Sequence, residues 1–434
     1  MGNLTLRSIR EVDLNGKVVL MRADHNVVKK GKINDPYRIN ATIGTIFYIY
    51  SQGGKVILMT HVGRPKDKKT GEIKISSDSA VTAIVEYLQN KLSIEISVPE
   101  FAQDEKFGYT ELPKSSMEQM IKELREGKTG MIYLPNTRWF AGEEAKDEKR
   151  EQFAGDLAAL ADIYVNDAFG SWQAHASTVH VAKNLPSYAG FLMEKEVENL
   201  KKIYEPNRPL VSVVAGSKFD TKIEPLSALL EKSDKLVLGG VIYNAYLCAK
   251  YGISIKGVDE TDLESAKKFV EFSAKFPGRI VELPFIVESD TMDGKISGQY
   301  RTHDIRTLKA GATLNFVLDA DKKSFEEETV AAAFMSAKTI FVNAVMGFTP
   351  HFTEGTIAMD SLIDSNQDAM KLFGGGDTLE ELKKLLPGVY MKALDNPKYY
   401  FFTGGGAVLT AIKEGTPTGM EPVKMLAKQA VFTG

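Results

Sequence analysis

Two stretches decide the fold: residues 17–23, Lys17-Val18-Val19-Leu20-Met21-Arg22-Ala23, and residues 55–59, Lys55-Val56-Ile57-Leu58-Met59. Neither alternates apolar with polar, as a strand with one wet face would. A short unbroken apolar run is the signature of a strand covered on both faces. Between them, Asp35-Pro36 opens an amphipathic stretch, Pro36–Gln52, and Gly53-Gly54 closes it. A side-chain oxygen caps free N–H groups at a helix start, and proline is already set for the first turn. Strand, helix, strand is therefore the local reading, and it requires a parallel pair joined by a crossover.

The same unit recurs along the chain. Similar runs occupy Met131–Leu134, Asp162–Val165, Leu210–Ala215, Lys235–Leu238, Thr339–Val342 and Tyr399–Phe402, with helical stretches such as Asp147–Ala161 and Thr221–Glu231 among them. At 434 residues the chain exceeds one ordinary core, and two domains of about 200 residues each are expected. Pro186, Pro206 and Pro209 bracket a charged helical stretch, Gly190–Tyr204, that suits a hinge between halves. The expectation is an α/β chain of two Rossmann-like, doubly wound parallel-sheet domains joined by an interdomain helix and hinge. Residues 1–188 would form the first, with the tail 420–434 packing back on it, and residues 189–419 the second. Asp293-Gly294 suggests a hairpin turn ahead of Tyr300–Gly311.

Charge and composition narrow the function. Fifty-four basic against 57 acidic residues give a net charge of -3, which argues against nucleic-acid binding through bulk positive charge. The single cysteine, Cys248, allows no disulfide within the chain and no cysteine-based zinc site, as expected in a reducing cytoplasm. Neither a signal peptide nor an apolar run long enough to span a bilayer is read in the sequence. The expectation is a soluble, cytoplasmic protein without a membrane or nucleic-acid partner.

Parallel sheets place ligands at the carboxyl ends of their strands. In the first half the residues after the apolar runs are Asp24-His25-Asn26, His61-Val62-Gly63-Arg64-Pro65, Asn136-Thr137-Arg138 and Asn166-Asp167-Ala168-Phe169-Gly170, with Arg38 in the first turn of the following helix. Arginine and histidine grip small polyanions. In the second half they are Gly216-Ser217-Lys218, Gly239-Gly240, Asn343, Gly374-Gly375-Gly376-Asp377-Thr378 and Thr403-Gly404-Gly405-Gly406. Glycines at helix starts expose N–H groups to phosphate. Lys218 and Lys222 stand one helical turn apart, and Asp377 suits Mg2+ held mostly by phosphate and water. His175 and His180 read as structural. Gly127-Lys128-Thr129 resembles the tail of a phosphate loop, but Lys122 stands where its first glycine belongs.

Taken in order, these segments resemble the phosphoglycerate kinase family almost end to end. Met21-Arg22-Ala23-Asp24-His25-Asn26-Val27, His61-Val62-Gly63-Arg64-Pro65, Tyr164–Gly170 followed by His175–Val179, Ala189–Glu196, Gly216-Ser217-Lys218 with Lys222, Gly375–Thr378 and Thr403–Ala407 carry the likeness. It implies reversible phosphoryl transfer between 1,3-bisphosphoglycerate and ADP, giving 3-phosphoglycerate and ATP, by a monomer. Asp24, Asn26, Arg38, His61, Arg64 and Arg138 would hold the phosphoglycerate. Gly216, Lys218, Lys222, Asn343, Gly375, Gly376, Asp377 and Thr378 would hold the nucleotide, with Asp377 on Mg2+, and Lys218 and Arg38 would be catalytic. The chain departs from the family pattern at several points. Trp172-Gln173 replaces a His-Arg pair, Pro350 a ribose-contacting glutamate, and Asp321-Lys322 a Gly-Pro near the adenine pocket. The alternative is a catalytically weak paralog serving as a metabolite- or protein-binding module.

Overall fold

In the computed structural model, which describes residues 5–219 and 222–427, strand β1 (Val18–Ala23) shows why the sequence must fold in layers. Val18 and Leu20 enter one core with Ile57, Met59, Ile132, Phe153 and Leu157. Val19, Met21 and Ala23 enter a second with Ile39, Ile46, Ile49, Val56 and Leu58. Burying each such side chain is worth about 1.5–3 kcal/mol, so exposing either face would forfeit half of what the strand contributes.

The remaining strands of this sheet are β2 (Lys55–Met59), β3 (Ile96–Ser97), β4 (Met131–Tyr133), β5 (Ile163–Asp167) and β6 (Ser187–Ala189). They lie in the order β3-β4-β2-β1-β5-β6, all parallel. Val19 pairs with Val56 on one side and Ile163 on the other. Helix α1 (Tyr37–Ser51) buries Ile39, Thr42, Thr45, Ile46 and Ile49, a stripe at helical spacing. Its first turn is held as the sequence suggests: Tyr37 N donates to Asp35 Oδ1 at 3.0 Å. Gly127, in the phosphate-loop lookalike, ends the helix Lys114–Glu126.

The second sheet repeats the plan. Its strands are β7 (Leu210–Gly216), β8 (Lys235–Gly239), β9 (Ile280–Val281), β10 (Thr339–Asn343), β11 (Met370–Gly374) and β12 (Tyr399–Phe402). The order β9-β8-β7-β10-β11-β12 is that of a doubly wound dinucleotide-type sheet. Phe285–Ser289 and Tyr300–Asp304 form the expected hairpin, with Phe316–Ala320 completing an antiparallel sheet of three strands. Its loop runs from 290 to 299, so Asp293-Gly294 is one part of a long connection rather than a two-residue turn.

Contacts divide the chain into one unit running to Val197 and resuming at Thr418, and a second from Glu198 to Pro417. The first division falls inside helix α2 (Phe191–Tyr204). The returning segment is sewn to the start of the chain: Arg7 N donates to Leu426 O at 2.8 Å and the Arg7 guanidinium to Met425 O at 2.6 Å. Val423 and Leu426 are buried there. Positions 428–434 of the expected tail lie outside the described residues. No described helix is long and apolar enough to cross a membrane.

A buried leucine cut to alanine loses its transfer energy and leaves a cavity. Leu426→Ala should therefore destabilise the first unit by about 2–4 kcal/mol. Urea unfolding followed by tryptophan fluorescence should show an earlier first-unit transition, while nucleotide affinity stays at the wild-type value.

Candidate functional site

Arg22 lies near the end of β1 and is buried, so its guanidinium must find partners within the protein. Nε donates to Ser177 Oγ at 2.9 Å, one terminal nitrogen donates to Ala23 O, and the other reaches His61 Nδ1 at 3.0 Å. A guanidinium only donates. His61 Nδ1 must therefore accept, which puts the ring proton on Nε2. Burial drives the His61 pKa well below its ordinary value, and the charge of Arg22 adds to the effect, so the imidazole is neutral.

Asp24 is buried beside this pair, and Arg38 on α1 donates to its Oδ2 at 3.2 Å. Burial alone would raise the Asp24 pKa, but the charges of Arg38 and Arg22, with the Asn26 backbone N–H, outweigh it and hold the carboxyl below the usual range. Asn26 ties the loop after β1 to the loop after β2, accepting at Oδ1 from Gly63 N at 2.8 Å. Asn136 clamps that second loop from the β4 side: its Oδ1 accepts from Val62 N at 3.0 Å, and its Nδ2 donates to Val62 O at 2.8 Å. Arg138 donates to Gly63 O at 2.6 Å and pairs with Glu144 at 2.9 Å.

These loops enclose a cavity of about 210 Å³ in the first unit, its wall including Asn26, His61, Arg64, Arg138, Gln173 and His175. Four residues singled out in the sequence thus meet on one surface. Asp24 and Arg38 are not among its lining residues; Arg38 donates to Asp24 instead. Several wall residues escaped the sequence reading, Arg22, Glu143 and His175 among them. Arg22 sat within an apolar run, and Glu143 lies beyond the strand-end window. His175 read as structural, yet it lines the cavity. Glu143 is buried and accepts from Ser177 N at 3.0 Å and Ser177 Oγ at 2.6 Å. His25, between two site residues, is turned inward to Tyr133 and Thr42 at 2.9 and 2.8 Å. His180 lies 2.7 Å from Glu151.

In the second unit the strand ends converge differently. Lys222 Nζ donates to Ala215 O at 2.7 Å and reaches Asn343 Oδ1 at 3.4 Å, while Asn343 Nδ2 donates to Gly374 O. Burial lowers the Lys222 pKa, and the nearby charge of Asp377 opposes the shift. Helices α3 (Ile223–Lys232), α4 (Gly376–Leu385) and α5 (Gly405–Lys413) begin at strand ends. Gly375 takes φ 131°, and a Cβ on Gly405 would strike the Gly375 backbone. Only glycines let these two helix N-termini come so close. Lys218 and Lys222, one helical turn apart in sequence, both stand before α3. Lys218 is exposed there, and Thr221, at the expected helix start, lies outside the described residues. A second cleft is lined by Gly239, Gly240, Tyr243, Asn244, Asp319 and Met346 among others. Asp321 is engaged elsewhere, by Thr302 Oγ1 and by Lys323 N at 3.0 Å.

No group of three or more His, Cys, Asp or Glu side chains suited to a metal gathers among the described residues. Asp377 is exposed in the first turn of α4. One exposed carboxylate at a helix N-terminus fits a magnesium ion that takes its other ligands from phosphate and water.

The sequence model of the family described as phosphoglycerate kinase matches residues 9–415. A curated protein named phosphoglycerate kinase, from Trichodesmium erythraeum (strain IMS101), is 35% identical over 421 residues, which cover 95% of this chain and 97% of that one. Among solved structures, phosphoglycerate kinase from Coxiella burnetii aligns with a TM-score of 0.74 at 27% identity, over 97% of this chain and 98% of that one. The phosphoglycerate kinase from Pyrococcus horikoshii OT3 shares the fold, with a TM-score of 0.76 at 24% identity over the same shares of the two chains.

The pairing of His61 with Arg22 has a measurable consequence. The unfolded chain takes a proton on this residue near the ordinary value of 6.5, and the folded chain only at much lower pH. This group's contribution to stability is thus intact above that value and is lost as pH falls below it. Nitrogen-15 NMR should find the His61 ring neutral and protonated on Nε2 from pH 8 to pH 6. A ring that titrates at its ordinary value would contradict the geometry.

Proposed function

The chain belongs to the phosphoglycerate kinase family, and from that premise we propose how its residues divide the family's reaction between them. The reaction is reversible phosphoryl transfer between 1,3-bisphosphoglycerate and ADP, giving 3-phosphoglycerate and ATP; the enzyme is a phosphotransferase with a carboxyl acceptor. The observation that supports the division is the first-unit cavity, where Asn26, His61, Arg64 and Arg138 share a wall.

In this reading the cavity holds 3-phosphoglycerate or its acyl phosphate. Arg64 and Arg138 supply charge, and His61 and Asn26 supply neutral polar contacts. Arg38, held by Asp24 and not itself on that wall, is assigned to the reacting carboxylate, with Asp24 counted in the substrate set. Gly216, Lys222, Asn343, Gly375, Gly376 and Thr378 hold the nucleotide phosphates, using helix N-termini and one partly buried ammonium. Lys218 neutralises the phosphoryl group in transfer. Magnesium, bound through Asp377 and phosphate oxygens, would spread the charge of the transferring group. We assign residues 1–188 and the returning tail to substrate, and residues 189–419 to nucleotide.

The nucleophile is a carboxylate, already ionised at neutral pH, so no general base is required. Positioning and charge neutralisation then carry the catalysis. Direct transfer requires the two ligands to meet, and the reading includes closure about the connecting helix during turnover. The same reading makes the enzyme a cytoplasmic monomer.

A coupled assay with 3-phosphoglycerate, ATP and Mg2+ should show turnover. Ligand binding without turnover would favour a binding module instead. Arg38→Ala should weaken transition-state binding by about 2–4 kcal/mol, read as kcat/KM for 3-phosphoglycerate, with ADP affinity hardly changed. An equal loss of ADP affinity would place Arg38 elsewhere in the mechanism. Asp377→Ala should lower turnover most at limiting Mg2+, with an unchanged circular dichroism spectrum. Full activity of that variant at limiting Mg2+ would remove the carboxylate from the metal site.

A further inference from the structure

Two side chains on the cavity wall have no part in the division above. Gln173 and His175 both line the cavity, and His175 Nε2 lies 2.9 Å from Gln173 Oε1. The backbone between them is pinned. Thr178 Oγ1 donates to Gln173 O at 2.6 Å and accepts from His175 N at 3.0 Å. His175 N also reaches Gln173 O at 2.9 Å. Both side chains therefore leave a backbone whose position is set by one hydroxyl.

An imidazole nitrogen that meets a carboxamide oxygen must donate to it. The ring proton of His175 is then on Nε2, and the Gln173 NH2 group points away from the ring. A carboxamide with no such partner could turn half a revolution and present its oxygen to an anion. The imidazole N–H removes that choice. The charged groups facing His175 are Glu143, Glu144, Arg138 and Arg22. Burial lowers its pKa, the two glutamates oppose the shift, and the two arginines add to it. With a lowered pKa, the ring remains a neutral single donor at neutral pH.

We propose that His175 and Gln173 act as one unit, in which the imidazole N–H locks the Gln173 carboxamide so that its NH2 group faces the bound anion. Gln173, standing where the family pattern has the arginine of a His-Arg pair, is then a neutral substrate contact, and His175 is a positioning residue. The inference rests on the reading of the cavity as the 3-phosphoglycerate site. Glutamine supplies direction without charge, whereas arginine supplies both.

The test is a double-mutant cycle in the coupled assay, with saturating ATP and Mg2+ and varied 3-phosphoglycerate. Gln173→Ala and His175→Ala should each raise the KM for 3-phosphoglycerate roughly 3–10-fold, the loss expected for one neutral hydrogen bond. The double variant should be no worse than the weaker single variant, and kcat and the KM for ATP should change less than about twofold in every case. Gln173→Glu keeps the acceptor for His175 but turns a carboxylate toward the anion, so its KM should rise further than that of Gln173→Ala. Effects that multiply in the double variant, or an unchanged KM in His175→Ala, would overturn the coupling. If His175 variants do not fold, Gln173→Glu decides alone, since an unchanged KM there overturns the proposal. A wild-type protein that does not turn over 3-phosphoglycerate would instead overturn the reading of the site.

Discussion

A parallel strand covered on both faces has little room for polar side chains until it ends. That constraint orders the rest of this molecule. Each of the two six-stranded sheets delivers its polar residues at strand ends, where several loops come together. Arg22 is one instructive exception, a buried guanidinium near the end of β1; Ser212 in β7 and Lys371 in β11 are others. Left unpaired, a buried charge would cost several kcal/mol. The partners of Arg22 are Ser177, Ala23 and His61. Satisfying one buried cation therefore fixes the relative positions of three segments of the cavity wall.

In the proposed division, the two units hold anions with different chemistry. In the first, side chains do the work. Arg64 and Arg138 bring charge, while Glu143 and Glu144 keep the wall from accumulating too much of it. In the second, backbone does most of it. Gly375 and Gly405 let two helix N-termini approach more closely than any side chain would permit, and Lys222 adds one ammonium. Side-chain forks recognise a small asymmetric metabolite. Exposed N–H groups suit a phosphate chain approached along helix axes.

The sequence made the layers legible because two-sided burial leaves an unmistakable pattern. Runs such as Val18–Ala23 and Thr339–Asn343 are strands in the structure, and Asp35 caps the helix it precedes. Strand-end logic also located Asn26, His61, Arg64 and Arg138 on one cavity wall. It failed where a residue's role depends on depth rather than on position along the chain. Arg22 lay within an apolar run, and Glu143 belonged to no strand end. His175 is distinguished only by the partner that the loop brings to it. The helix after β7 begins at Ile223, two residues later than the expected Thr221. Sequence spacing alone does not show where a first turn closes.

The central claim is that the two ligands belong to different units, and hydrogen–deuterium exchange on the intact chain tests it most directly. With 3-phosphoglycerate alone, the account predicts slowed exchange in the loops at 24–26, 61–64, 136–138 and 170–178. With ADP and Mg2+ alone, it predicts slowed exchange at 216–222, 374–378 and 403–406. Protection of the same unit by both ligands, or protection of the first-unit loops by ADP alone, would contradict the account.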